Sequence, residues 1–230
     1  MERQNPSSVS ARNPSQPARI LGVHLEGPFL SPNMAGALDG SSFASPSERM
    51  LRELTDGFED VISVVTIAPE KEGALSLIKT MAKWGILVNL GHSNATFAEA
   101  EAGFRAGARG VTHLFNAMRG FSHREAGLSG FGLLNREVYV EVIGDLNHLS
   151  LQALDLVFRL KNPEKILLVS DSVRETSSRG DSVPRGGDGR LVGGSAPLPM
   201  AAMRLVTQGF DENLIMRAIS TNPQTFLGSG

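Results

Sequence analysis

Four of the five histidines lie at or just beyond short apolar runs, and carboxylates fall at the same kind of position. His24 and Glu26 stand two residues apart, so a strand through them would put both on one face. His92 follows the run 86–90 and His113 ends the run 110–114. Asp145 and His148 follow 138–143, and Asp171 follows 166–169. If these runs are strands of one barrel, their ends meet in a single mouth. A Glu, two or three His and an Asp gathered there make a suitable shell for Zn²⁺ or Fe²⁺ with a position left for water. Taken alone, each His reads more simply as a hydrogen-bonded structural residue. It is their recurrence at successive strand ends that argues for chemistry. His24 sits deeper in its run, and the ligand and structural readings weigh equally. Asp145 can equally tie down its own loop. His123 lies in a loop without such company.

The elements that must position these groups follow from periodicity. Apolar runs at 20–25, 61–67, 86–90, 110–114, 138–143 and 166–169 are nearly continuous, as parallel strands covered on both faces require. Helical signals alternate with them. Ser45-Pro46-Ser47-Glu48 reads as a capping box with Pro at the first helical position, ahead of Leu51, Leu54 and Phe58. Ala74, Leu75, Ile78, Met81 and Ala82 keep helical spacing, and Gly85 suits a stop. Thr96 to Glu99 fits a second capping box, with Gly107 to end that helix. Ser150 can cap a helix carrying Leu151, Leu154 and Phe158. Strand–helix alternation predicts an α/β fold, and polar residues at the C-terminal strand ends favour a (β/α)₈ barrel over a doubly wound sheet. The segment 172–194 reads as a loop flanking the mouth, and 1–18 as a polar, disordered arm ahead of a catalytic domain over 19–230.

Composition narrows the chemistry further. No cysteine is present, which removes disulfides, thiolate ligands and a cysteine nucleophile, so any metal must be held by His, Asp and Glu. A net charge of −2 gives no electrostatic footprint for nucleic acid, and no apolar run has the length to cross a bilayer. Nor does the N-terminus carry a signal peptide's hydrophobic stretch, and a cytoplasmic protein is expected.

A series of segments resembles the N-acetylglucosamine-6-phosphate deacetylases of the amidohydrolase superfamily, in that family's order. They are Gly22-Val-His-Leu-Glu-Gly-Pro-Phe29, Thr66-Ile-Ala-Pro-Glu70, Gly91-His-Ser-Asn-Ala-Thr96 and Thr112-His-Leu-Phe-Asn-Ala-Met118. Arg124-Glu-Ala-Gly-Leu128, Gly144-Asp-Leu-Asn-His148, Ser170-Asp-Ser172 and Asn222-Pro-Gln-Thr-Phe-Leu-Gly228 complete the set. The resemblance implies one divalent metal ion, Zn before Fe, held by Glu26, His92 and His113. It implies Asp171 as general base toward the hydrolytic water and His148 as the donor to the acetamide carbonyl. Asn116, Ala117 and Arg124 would contact the sugar phosphate. The expected reaction converts N-acetyl-D-glucosamine 6-phosphate to D-glucosamine 6-phosphate and acetate. The expected partner is therefore a small amino-sugar phosphate, with no nucleic acid or membrane and with room for a homo-oligomer.

The chain departs from the family pattern at four places. Six of the barrel's eight strands are visible, the two before Gly22 being replaced by the polar arm, so an incomplete barrel and a single metal are expected. Ala35-Gly36-Ala37-Leu38 stands where the family has Lys-Gly-Ala-His. Asp145-Leu-Asn-His148 replaces Asp-Gly-x-His. The 172–200 region differs in loop length, and strands of a flanking β-sandwich are not seen. The alternative expectation is a truncated, weakly active or inactive homologue that retains metal and sugar-phosphate binding.

Overall fold

A computed structural model describes residues 20–176, 182–187 and 189–228; the arm expected over 1–18 lies outside the described residues. Six strands form one sheet: β1 (Val23–Glu26), β2 (Ile62–Ile67), β3 (Leu87–Leu90), β4 (Gly110–Val111), β5 (Tyr139–Ile143) and β6 (Ile166–Val169). All are parallel and lie side by side in sequence order, the arrangement that repeated strand–helix–strand crossovers generate. The sheet curls into part of a (β/α)₈-type barrel, and β1 and β6 are not paired with each other. A cavity of about 550 Å³ opens there, reaching Glu26, His113 and Asp171 and extending to Phe226 and Leu227.

The helices cover the outside. They are α1 (Glu48–Thr55), α2 (Ala74–Lys83), α3 (Phe97–Ala106), α4 (Gly127–Leu134), α5 (Leu151–Leu160), α6 (Leu198–Thr207), α7 (Glu212–Ile219) and α8 (Thr221–Phe226). Leu51, Ile67, Ile78, Met81 and Leu90 are fully buried in the layer that helices and strands share. Each such side chain contributes about 1.5–3 kcal/mol relative to exposure. Phe131 of α4 meets Phe97 of α3 edge-on, with ring centroids 5.5 Å apart.

Local chemistry sets the element ends. Thr96 and Glu99 form the expected capping box, and Ser150 accepts a bond from the Ala153 amide. Gly85, with φ +81°, follows α2 as anticipated. At α1 the outcome differs: Ser47 is the cap, accepting from the Met50 amide, so Pro46 stands before the helix rather than in its first turn. Phe58 lies beyond α1 and is 62% exposed. The first run also differs from expectation. β1 begins at Val23, and most of it is exposed because an edge strand has a neighbour on one side only. The 110–114 run yields only two ladder residues, and His113 lies beyond them.

Candidate metal centre

Four of the chemistry-bearing residues occupy one repeated position, two residues past the end of a strand: His92 after β3, His113 after β4, Asp145 after β5 and Asp171 after β6. Three of these have left-handed backbone, with φ 44° at His92, 30° at His113 and 47° at Asp171. Such angles are uncommon outside glycine, and their clustering around one mouth is what a candidate functional site would show. Glu26 joins them as the last residue of β1.

Glu26, His92 and His113 converge. Glu26 Oε1 lies 2.7 Å from His92 Nε2 and 2.7 Å from His113 Nε2, and the two ring nitrogens are 3.1 Å apart. Both imidazoles are buried. His92 Nδ1 donates to the Met34 carbonyl at 2.8 Å, which turns Nε2 toward the cluster. Two imidazole nitrogens facing each other at that distance need a shared proton or cation between them. One carboxylate and two imidazoles suit Zn²⁺ or Fe²⁺, and bonds near 2.05 Å put tetrahedral donors roughly 3.3 Å apart. The three donors therefore fit a divalent ion after spreading by a few tenths of an ångström. Burial favours the neutral form of Glu26, but the bonds from His113 and His92 outweigh it and hold the carboxyl well below the usual carboxylate range. Burial likewise opposes charge on His113. The Glu26 bond, with the fields of Glu26, Asp171 and Glu141, raises its pKa instead.

Asp171 is pushed up, first by burial and then by Glu26, against the pull of His113, His148 and His92. Its backbone is pinned by the Gly194 amide, which donates to the Asp171 carbonyl at 2.7 Å. Gly194 is confined to glycine by contact: a Cβ there would sit 1.7 Å from the Ser170 carbonyl oxygen. The segment 172–194 is thus closed at its neck, by a Ser172–Gly194 bridge, although 177–181 and 188 lie outside the described residues. His148 Nδ1 bonds Asp145 Oδ2 at 3.0 Å. Asp145 is buried and also accepts from the amides of Asn147, His148 and Ser195 and from the Ser195 hydroxyl. Burial would raise its pKa, and these donors hold it far below the usual range.

The remaining expected residues are placed less closely. Asn116 follows His113 and donates to the His113 and Leu114 carbonyls, closing its own turn. The Ala117 carbonyl accepts from the Ser93 amide, joining the His92 and His113 loops. Arg124 is exposed and makes no hydrogen bond or ion pair among the described residues. His123 is exposed on the same loop. Leu38 lies on the stretch that packs here: a Cβ on Gly36 would sit 3.2 Å from Ala117 Cβ and 3.4 Å from His92 Cε1.

Beneath the three donors lies a polar layer that sequence reasoning missed. His24 Nε2 bonds Thr66 Oγ1 at 2.8 Å, and Thr66 Oγ1 meets Thr112 Oγ1 at 2.7 Å. The two threonines touch across β3 because Gly91 leaves the space; a Cβ there would lie 2.9 Å from each. Glu141 accepts from Asn89 Nδ2 at 2.8 Å and lies 3.6 Å from His24 Nδ1. Burial lifts Glu141 to about 7, and loss of solvent brings His24 down to about 4 against the pull of Glu26. His24 thus bonds the floor of the site and stands outside the three-donor cluster. Glu70 was missed too. Its carboxylate accepts from Ser93 Oγ and the Asn94 amide at 2.6 and 2.7 Å, bracing the loop just after His92. A carboxylate inside the apolar run 138–143 was the one available signal for Glu141.

No family model matches the chain. It is 34% identical over 160 residues to an N-acetylglucosamine-6-phosphate deacetylase of Lysinibacillus sphaericus, covering 70% of this chain and 41% of that protein. It is 37% identical over 157 residues to an N-acetylgalactosamine-6-phosphate deacetylase of Escherichia coli O157:H7, covering 68% and 41%. The fold superposes with a TM-score of 0.81 on an N-acetyl-D-glucosamine-6-phosphate deacetylase variant of Mycobacterium smegmatis solved in complex with N-acetyl-D-glucosamine-6-phosphate, at 29% identity over 90% of this chain and 59% of that one. The chain thus spans about two fifths of the length of these two relatives. Among the described residues, no helix is long and apolar enough to cross a membrane. By sequence and by fold, the chain is a homologue of the N-acetylglucosamine-6-phosphate deacetylases.

Proposed function

We propose that the chain hydrolyses the acetamide of N-acetyl-D-glucosamine 6-phosphate, with Glu26, His92 and His113 holding one divalent cation, Zn²⁺ before Fe²⁺. The observation that carries this reading is the convergence of those three donors at the same barrel mouth that receives Asp171 and His148. A bound cation there supplies Lewis acidity, polarising an amide carbonyl and bringing the pKa of water toward neutrality. Asp171 takes the proton from the attacking water as its oxygen adds to the carbonyl carbon. When the C–N bond breaks, Asp171 returns that proton to the amine, and acetate and the amino sugar leave. His148, as an imidazolium with protons on both ring nitrogens, donates from Nε2 toward the carbonyl oxygen as negative charge develops on it. Arg124 offers a fork suited to the phosphate, with Asn116 and the Ala117 backbone nearer the metal donors.

A second reading keeps metal and sugar-phosphate binding without turnover. Two observations favour it: the opening between β1 and β6, and Leu38 on the stretch beside His92 and Ala117. Acetate release by Zn²⁺-supplemented protein separates the two. N-Acetylglucosamine 6-phosphate and N-acetylgalactosamine 6-phosphate are assayed in parallel, with Asp171→Asn as control. Release by the wild type and none by the variant supports the deacetylase. Equal release by both removes Asp171 from the role of base. No release from a protein that retains stoichiometric metal leaves the second reading.

A further inference from the structure

We infer that Asp145 is a positioning residue that holds the Nδ1 proton of His148, so that Nε2 faces the reacting group, carrying the donated proton in the imidazolium and leaving an Nδ1–H tautomer when the ring is neutral; the inference rests on the deacetylase reading for its purpose but not for its test. The geometry is over-determined. Asp145 Oδ1 is occupied by two backbone amides, those of Asn147 at 2.9 Å and His148 at 3.0 Å. Asp145 Oδ2 takes the Ser195 amide at 2.8 Å, the Ser195 hydroxyl at 2.9 Å and His148 Nδ1 at 3.0 Å. A carboxylate surrounded by donors can only accept, so the proton between it and the ring belongs to His148 Nδ1. No side chain among the described residues bonds His148 Nε2. That nitrogen is left for a ligand.

The same contacts tie His148 to Asp171. Gly194 and Ser195 are consecutive, and their amides donate to the Asp171 carbonyl at 2.7 Å and to Asp145 Oδ2 at 2.8 Å. Two neighbouring amides thus set the spacing between the proposed base and the proposed donor. Gly194 is needed there because its backbone runs against that of Ser170, and Ser195 is fully buried. An Asp that merely tied down its loop would need the bonds from Asn147 and Ser195. It would not need the ring of His148.

The test is Asp145→Asn, read by two-bond ¹H–¹⁵N correlation of the histidine rings in the metal-loaded chain at alkaline pH. The His148 signals are assigned by their loss in His148→Gln. Two backbone amides hold Oδ1 against the single Ser195 amide on Oδ2, so the new amide keeps its oxygen at Oδ1 and places its NH₂ where Oδ2 was, at the loss of the Ser195 amide bond. An NH₂ donates to Nδ1, and the proton on the ring moves to Nε2. The expected result is an Nδ1–H ring in the wild type and an Nε2–H ring in the variant, with the other histidines unmoved. Acetate release should fall about 10-fold in kcat with KM little changed, because the variant's neutral ring keeps an Nε2–H but donates it more weakly than the wild type's imidazolium. An Nε2–H ring in the wild type overturns the inference, and so does an unchanged Nδ1–H ring in the variant. The wild-type spectrum decides even if the variant does not fold. A wild type with the Nδ1–H ring but no acetate release refutes the deacetylase reading and leaves this one standing.

Discussion

Metal addition should stabilise the fold by a calculable amount, because its three donors come together only when the sheet forms. Glu26, His92 and His113 belong to the ends of β1, β3 and β4, separated by 66 and 21 residues along the chain. The unfolded chain holds no such site, so binding energy adds to folding energy. Spreading the donors from 2.7–3.1 Å to roughly 3.3 Å asks little of the structure, and the His92 Nδ1 bond to Met34 stays intact. At a free Zn²⁺ concentration one hundred times the dissociation constant, the gain is about 2.7 kcal/mol. For a chain of this size each kcal/mol moves Tm by about 2–4 °C, which gives a rise of roughly 5–11 °C. The assay is differential scanning calorimetry of chelator-stripped protein across a Zn²⁺ titration, with His113→Ala compared against its own metal-free form. The variant should lose most of the rise. A wild type whose Tm ignores Zn²⁺ would refute the cluster as a metal site, and a full-sized rise in His113→Ala would remove His113 from the ligand set.

Two further outcomes probe the surroundings. Thr66→Val leaves His24 Nε2 and Thr112 Oγ1 without their buried partner and should cost about 2 kcal/mol in urea unfolding. Thr66→Val with Thr112→Val should cost less than the sum of the single changes by about 1 kcal/mol, and strict additivity would deny the contact. Lys161 reaches under α4, where its Nζ donates to the Gly132 carbonyl at 2.9 Å and to that of Asn135, and burial lowers its pKa to about 7. The unfolded chain keeps an ordinary lysine near 10.4, so it binds more protons than the fold between those values. Stability should therefore rise with pH across that window, since a neutral amine still has N–H donors for both carbonyls. Lys161→Met should show none of that rise, measured as the difference between the two proteins' pH profiles.

Much of this arrangement is legible in residue order because parallel sheets advertise themselves. The runs at 61–67, 86–90, 138–143 and 166–169 are apolar on both faces, and each became a strand within a residue of its expected start. Capping chemistry was equally local: Thr96 with Glu99, and Ser150, need only the next three residues to act. What failed depended on neighbours. β1 is apolar enough for a central strand yet lies at an edge, which no window of its own residues reports. α4 carries Gly127, Gly130 and Gly132, poor helix formers, and forms because nearly all of it is buried against surrounding elements. Its glycines are packing features: a Cβ at Gly132 would lie 2.8 Å from Leu114 Cδ1.

The site follows the same division between type and placement. Residue type at the strand ends pointed to a Glu, His and Asp set able to hold a metal, since few side chains do so in a chain without cysteine, and the family resemblance chose Glu26, His92 and His113 from it. The backbone that delivers them was not readable. His92, His113 and Asp171 each adopt a left-handed conformation that costs on the order of 1–3 kcal/mol in a non-glycine residue. A sequence window would place glycine or asparagine there. Fixed contacts hold the strain: the Ser31 amide bonds the His92 carbonyl at 2.9 Å, and the Gly194 amide bonds that of Asp171 at 2.7 Å. Next to His113, the Leu114 amide reaches the Glu141 carbonyl at 2.8 Å. Every one of these braces comes from a segment distant in sequence. A glycine at any of the three positions would relieve the backbone and lose the proposed ligand or base, so the strain is retained where the proposed chemistry needs a side chain aimed back over the mouth.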